Sequence, residues 1–552
     1  MATNDSKSDD LPSASAKEEF ERIKKATCLA IERVIAKGAD DVFKPPTFSR
    51  SIETEILSKQ ADAFREEAFR RAVRFLKAAD LEKERIGVTR RALIIKDQIS
   101  FRECAWLDPF DAVKYLATTY LLFEKIEAAR IPKSEGVVHS HRLSDQANEI
   151  FDSNYGYDSF RAKSSELSRQ RVGKWKIITD ISNFFDRIGN HTLENHLLSI
   201  RCDEKYVSLI REILLLFARS RRSYGIPVGS DASRILSEAI LLNVDRKLTE
   251  LGIVFIRYVD DFRIFAESRA EAIKAVETLT NLLSDEGLHL NSKKTDIYQI
   301  PEYEEDELAA NGVAGDEHER IDLDEKVEIR RVTRISGRTS ISRFYREPGK
   351  EALKKIQAIS KEKLIEDFKQ ADDSVLEQRL KLVMKFFVYV EQDVQLLRML
   401  IERKITSIFY ISDALAKEHN RFNSEKHQEI KDTVFSTEDW LKCAQPLQIP
   451  VLRLSGMPAF ADNIFIRSIV DGHLQSDSML FYREALELGA HSLDRPRVLK
   501  LANDTFKDAP PFVRRTIYKV VKYHTQISDD EKRPLLKNMD KQHDGDWFIP
   551  HI

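Results

Sequence analysis

FIRYVDDFRIFAE, residues 255–267, is the stretch whose reading decides the fold. It sets two adjacent carboxylates, Asp260 and Asp261, at the centre of an otherwise apolar, alternating run. The alternation predicts a β-hairpin, with residues 253–258 as one strand, 262–266 as the other and Val259-Asp260-Asp261 as the tight connection. Two carboxylates at a hairpin tip repel each other unless a cation lies between or beside them, an arrangement that suits a hard divalent ion with oxygen ligands. An exposed Asp-rich turn would read the same way, so a second feature must decide.

That feature is KWKIITDISNFFDRI, residues 174–188, where Trp175, Ile177 and Thr179 alternate along a strand and Asp180 stands at its end, as the chain turns into a helix. Strand-end carboxylates from two neighbouring strands converge on one rim of a sheet. There they can hold two Mg²⁺ ions roughly 3.5–4 Å apart, the geometry of in-line phosphoryl transfer.

Outside these motifs the composition sets bounds. The chain has 552 residues, too many for one core, so two or three domains are expected. Charged residues make up 32% and nearly cancel to a net charge of -3, which describes an ordinary globular protein and neither requires nor excludes nucleic acid. Four cysteines lie far apart, which implies neither a disulfide framework nor a zinc knuckle and fits a reducing, cytoplasmic setting. His139 and His141 have no third ligand at metal spacing. No apolar stretch is long enough to cross a bilayer, so no membrane partner is expected.

Along the chain, residues 1–19 are polar and small and read as a disordered tail. Residues 20–170 combine amphipathic helices with two short strands around a polar turn, and 171–300 alternate strands and helices as an α+β catalytic domain does. Residues 301–349 pair an acidic insertion, 301–325, with a basic stretch. Its Arg330, Arg331, Arg334, Arg338 and Arg343 are the candidates for phosphate contact, with Phe344 or Tyr345 as a stacking face. From 350 to 552 strand signals nearly vanish and apolar helical segments recur, separated by Pro446, Pro450, Pro458, Pro496 and Pro510.

Four segments now stand in order: DISNFFD after the 175–179 strand, GIPVGSDASRILSEAI at 225–240, YVDD at 258–261 and GLHLNSKKT at 287–295. In order and spacing this set resembles the palm motifs of reverse transcriptases, and in its fingers and helical tail it looks like the bacterial defence-associated, abortive-infection group. The resemblance implies an α+β fold: a right-hand polymerase with fingers (within 20–170) and palm (171–300), followed by an all-α, HEAT-like helical repeat domain at 350–552. It implies an RNA-directed DNA polymerase using two Mg²⁺ ions, with Mn²⁺ as a substitute, and Asp180, Asp260 and Asp261 as catalytic carboxylates. Ile181 counts with these three at the metals. Lys96 and Arg102 resemble the basic pair that grips the incoming triphosphate. Phe185 matches the steric gate that leaves no room for a 2′-hydroxyl. Gly225 and Gly229 bracket Pro227 and permit close backbone approach to the nucleotide or template, while Val228 departs from the Gln that many relatives carry there. Lys294 resembles the lysine near the leaving pyrophosphate, with Lys293 as its neighbour.

The partners implied are dNTPs, a DNA product that some members carry covalently attached, a companion non-coding RNA in others, and further copies of the chain in a homo-oligomer. The role implied is antiphage defence, by protein-primed, template-independent synthesis or by retron-like cDNA synthesis on a dedicated RNA. A reading of another class is a polymerase-shaped scaffold that binds RNA or a phage protein without turnover. Mutually repelling acids kept at one site argue against it.

Overall fold

Period-two alternation builds six strands, β1 Arg90–Ile95, β2 Phe101–Trp106, β3 Trp175–Asp180, β4 Val254–Tyr258, β5 Asp261–Ala266 and β6 Asp296–Gln299. The computed structural model describes residues 14–39, 51–77, 86–87, 90–95, 101–146, 148–170, 172–218, 223–300, 345–371, 375–472, 479–543 and 545–552. Lys96, the 301–325 insertion, Arg330, Arg331, Arg334, Arg338, Arg343 and Phe344 therefore lie outside the described residues.

The chain divides into two compact units, the first comprising Met1–Asp41, Gln60–Thr89 and Trp106–Glu302, the second Val42–Lys59, Arg90–Ala105 and Tyr303–Ile552. In the first unit β3 to β6 form one antiparallel sheet in the order β4-β5-β3-β6. Register explains its two faces. Ile177 sits opposite Ile264 and both are fully buried, on the face shared with Phe262 and Thr179. The other face carries Lys176, Ile178 and Asp180 of β3 opposite Phe265, Arg263 and Asp261 of β5. The helix Tyr157–Arg169 attaches to this second face, where its Ser164 and Ser168 hydroxyls accept from Arg263 and Lys176 at 3.1 and 3.2 Å. The helix Arg269–Asp285 packs on β3 and β5, and Leu242–Glu250 on β4.

Two expectations need correction here. A helix begins at Ala14, inside the 1–19 segment expected to be a tail, and runs to Lys37. Its Ile23, Ala26 and Ala30 recur at helical spacing and are buried, and the helix packs on Pro109–Ala129, so apolar contact carries the helix back past its polar start. The latter helix is capped as its sequence foretells, Asp108 accepting from the Phe110 amide. The second correction concerns the hairpin connection, which is shorter than three residues. Tyr258 pairs directly with Asp261, so Asp261 is the first residue of β5 and the loop is Val259-Asp260 alone.

In the second unit β1 and β2 pair, and β1 lies against the helices Gln445–Ser455 and Met479–Gly489. Among the described residues after 344 every element is helical. Pro450 does not separate two helices but lies within Gln445–Ser455. It comes early enough that only one intrahelical bond, to the carbonyl of Pro446, is forgone. The short helix Ile52–Lys59 joins this unit through Glu53, which is buried and accepts from Arg483 Nη2 at 2.7 Å and Arg515 Nη1 at 2.9 Å. Burial opposes the charge on Glu53, yet the two guanidiniums win and hold its carboxyl down at about 2.

Because neutralising Glu53 takes a buried carboxylate from Arg483 and leaves Arg515 with Asp546, Glu53→Gln is expected to cost about 3–5 kcal/mol in urea unfolding. The carboxylate's contribution is fully present above its ordinary value near 4.5 and is lost as pH falls towards about 2, so the gap between wild type and variant narrows over that window.

Candidate active site

The carboxylates meet because of one ladder position. Asp180, last residue of β3, is the direct cross-strand partner of Asp261, first residue of β5. Directly opposed residues of an antiparallel pair point to the same face with Cβ atoms about 4.5–5.5 Å apart, so the two acids stand side by side at the strand ends. Asp260 precedes Asp261 in the two-residue loop, and Asp180 and Asp260 are both 8% exposed. The Asp260 carbonyl accepts from the Ile181 amide at 3.0 Å, which ties the loop to the continuation of β3. Ile181 buries its side chain, so only its backbone carbonyl is available to a metal.

Electrostatics identify this as a place of unresolved negative charge. Burial first, and then the neighbouring Asp260 and Asp180, push the Asp261 carboxyl up to about 7, against the opposing pull of Arg263 and Lys294. Lys294 Nζ donates to Asp180 Oδ2 at 3.0 Å, placing a cation where the acids need one. The position of Lys294 is built. The Asn291 amide donates to the Asp180 carbonyl at 2.7 Å, the Thr295 and Thr179 hydroxyls lie 2.7 Å apart, and the Asn291 side chain caps the single turn Ser292–Lys294. Lys293 on the same turn is exposed.

A set of oxygen donors that repel one another fits a hard divalent cation. Among the described residues, no three His, Cys, Asp or Glu side chains are preformed around one ion position. The arrangement is a row of carboxylates, not a closed cage.

A second loop faces the segment after β3. The Asn190 amide donates to the Ser223 carbonyl at 3.0 Å, Gly225 to Ile188 at 2.7 Å and Ile226 to Phe185 at 3.0 Å. These bonds fasten residues 223–226 along 185–190 and fix the backbone at half-buried Phe185, whose ring lies 5.5 Å from that of buried Phe184. Gly225 and Gly229 have φ of +97° and +108°, which glycine adopts at little cost. The loop leads into the helix Asp231–Ile240, capped by Ser230, whose hydroxyl accepts from the Ala232 amide at 3.2 Å. Arg102 sits, partly exposed, on β2 of the second unit. His139 bonds to Ser159 and to the Gly136 carbonyl at 3.0 and 2.9 Å, so each of its ring nitrogens has a protein partner.

Sequence reasoning passed over what lies beneath the row. Arg257 of β4 is completely buried, with Nε and Nη2 on the two Asp245 oxygens at 2.8 and 2.5 Å and Nη2 also on Glu238 at 2.9 Å. Arg130 Nη2 reaches the same Glu238 oxygen at 3.0 Å, and the Ser140 hydroxyl reaches the other at 2.6 Å. Burial penalises the Glu238 carboxylate, but Arg130 and Arg257 hold it well below the usual range. The available signal was a charge inside an apolar strand, which cannot be buried without partners.

Residues 137–325, which include the whole carboxylate row, match the family described as reverse transcriptase (RNA-dependent DNA polymerase). A reverse transcriptase domain is thus present in this stretch. Retron Ec86 reverse transcriptase of Escherichia coli is 33% identical over 76 residues, 13% of this chain and 24% of that protein. The chain therefore matches about a quarter of the length of that curated relative. Similar solved structures include apo telomerase from Candida tropicalis truncated from its C-terminal domain, with 16% identity, TM-score 0.29 and coverage of 40% of this chain and 51% of that one. Telomerase from Candida albicans in complex with a TWJ fragment of telomeric RNA has 13% identity, TM-score 0.29 and coverage of 69% of each chain.

Since a carboxylate must lose its proton to bind a metal, Mn²⁺ affinity, followed by electron paramagnetic resonance, should rise with pH up to about 7 and then level off. Without metal, the raised Asp261 makes the folded protein lose stability as pH climbs from its ordinary 3.8 to about 7. Asp261→Asn should flatten both dependences, and an unaltered pH profile in that variant would contradict the assignment.

Proposed function

We propose that this protein is a Mg²⁺-dependent DNA polymerase of the reverse transcriptase type, joining dNTPs by two-metal phosphoryl transfer in prokaryotic antiphage defence. The observation that carries the reading is the cross-strand pairing of Asp180 with Asp261, with Asp260 in the adjoining loop and Lys294 on Asp180.

In this reading Asp180 and Asp260, the Ile181 carbonyl and Asp261 hold the metals, with Asp261 nearest the primer end. Bound Mg²⁺ supplies activation of the attacking hydroxyl and charge stabilisation of the leaving pyrophosphate. Everything else is done by the chain. Lys294 neutralises Asp180 in the metal-free protein and, in this reading, donates to the leaving pyrophosphate. Phe185, its backbone clamped by Ile226, sets a flat ring beneath the sugar and excludes a 2′-hydroxyl. Gly229, with no side chain, lets the backbone approach the nucleotide. Lys96 and Arg102 grip the triphosphate, and Arg330, Arg331, Arg334, Arg338 and Arg343 track nucleic-acid phosphates, so that affinity falls with salt.

The helical part from residue 350 onwards is read as HEAT-like, the assembly as a homo-oligomer and the compartment as the cytoplasm. No described helix is long and apolar enough to cross a membrane. Synthesis is read as protein-primed and template-independent, leaving DNA covalently attached. The likeness to a retron reverse transcriptase favours a second reading, cDNA synthesis on a dedicated non-coding RNA.

Purified protein with labelled dNTPs and Mg²⁺ should incorporate nucleotide, and Asp180→Ala or Asp260→Ala should each lower the rate at least about 10²–10³-fold. Phe185→Ala should admit ribonucleotides. Absence of incorporation together with full phage protection by Asp260→Ala would favour a scaffold. Sequencing DNA bound to protein from cells separates the two modes: one defined sequence means a dedicated template, a random or homopolymer tract means untemplated synthesis.

A further inference from the structure

Val259, which immediately precedes Asp260, has a φ of +57°. Among the described residues, the other non-glycine residues at positive φ are His141, Asn183 and Arg201, so Val259 is the one with a β-branched side chain. A branched Cβ crowds its own backbone in this region, and the conformation persists only where the surroundings impose it.

What imposes it is visible. Arg257 Nη1 donates to the Val259 carbonyl at 2.9 Å. The guanidinium is held in place, because Nε and Nη2 donate to Asp245 and Glu238 and no part of it reaches solvent. Its backbone is held as well, the Arg257 amide donating to Val137 at 2.8 Å and its carbonyl accepting from His139 at 2.9 Å. Asp245 and Glu238 sit on the helices Leu242–Glu250 and Asp231–Ile240, and the second of these grows out of the 223–230 loop. A cation enclosed by two carboxylates thus gives a donor to the turn that carries Asp260.

We propose that Arg257 is a positioning residue for Asp260: clamped by Asp245 and Glu238, it holds the Val259 carbonyl and so keeps the loop in the left-handed conformation that turns the carboxylate towards Asp180. The proposal rests on the polymerase reading for its kinetic consequence, but not for its effect on metal binding. A lysine at 257 keeps the charge but has one ammonium, which cannot satisfy Asp245, Glu238 and the Val259 carbonyl in the same fork geometry.

The test is a double-mutant cycle between Arg257→Lys and Val259→Gly in the full chain, read by single-turnover dNTP incorporation and by Mn²⁺ titration with paramagnetic resonance. Arg257→Lys should lower kcat about 30-fold and Mn²⁺ affinity about 10-fold, with KM for dNTP within about twofold. In the Val259→Gly background the same substitution should cost only about threefold in kcat, because glycine takes the left-handed conformation unaided. Asp245→Asn, which keeps a hydrogen-bond acceptor and loosens the guanidinium, gives the same cycle if Arg257→Lys does not fold, with a smaller loss and the same relief. Effects that multiply independently, or that raise KM as much as they lower kcat, would overturn the proposal. Wild-type protein that binds Mn²⁺ with the predicted coupling but incorporates no dNTP would sink the polymerase reading and leave the role of Arg257 standing. Wild-type protein that neither binds Mn²⁺ nor turns over would end both.

Discussion

Like charges set side by side at the end of a buried sheet are the constraint on which the rest of this molecule turns. Asp180 and Asp261 are opposed in the ladder and Asp260 adjoins them, so in the metal-free protein burial and repulsion hold Asp261 partly protonated near neutral pH. A protein gains nothing in stability from such an arrangement, and a strained Val259 adds a cost of about 1–3 kcal/mol. The fold tolerates it because everything around the row is over-determined. Asn291 and Thr295 fix the end of β3, Ile181 fixes the loop, and a buried ionic network fixes the hairpin from below.

That network is itself nearly balanced in charge. Arg130 and Arg257 face Glu238 and Asp245, with the Ser140 hydroxyl completing Glu238. Buried ion pairs of this kind contribute little net stability compared with apolar packing, but they define direction, since a planar guanidinium fork meets its carboxylates in a fixed geometry. Under the proposed polymerase site, where an ångström would decide reactivity, direction is the more useful property.

The reach of the sequence ends at identifiable residues. The hairpin at 255–267, the strand before Asp180 and the loop of Gly225 and Gly229 were legible because each is a local pattern: alternation, a strand-end acid, glycines where φ is positive. Local pattern missed that Asp261 belongs to β5, which depends on cross-strand register, and it missed the partners of Arg257. Glu53 and its arginines lie 430 and 462 positions apart, a pairing that no periodicity encodes. Only the start of the Ala14–Lys37 helix was hidden, since its residues before Phe20 are small or polar and carry no apolar periodicity. In Arg257 the hint was present: a guanidinium in mid-strand demands partners, though the sequence does not say which.

The central claim is that the carboxylate row closes around divalent cations. Crystals grown with Mn²⁺ and a non-hydrolysable dNTP, with diffraction collected at the manganese edge, test it most directly. The account predicts anomalous density within about 2.0–2.3 Å of carboxylate oxygens of both Asp180 and Asp260, with the Lys294 amine displaced from Asp180. Manganese absent from that rim, with Lys294 still bonded to Asp180 in the presence of nucleotide, would contradict it.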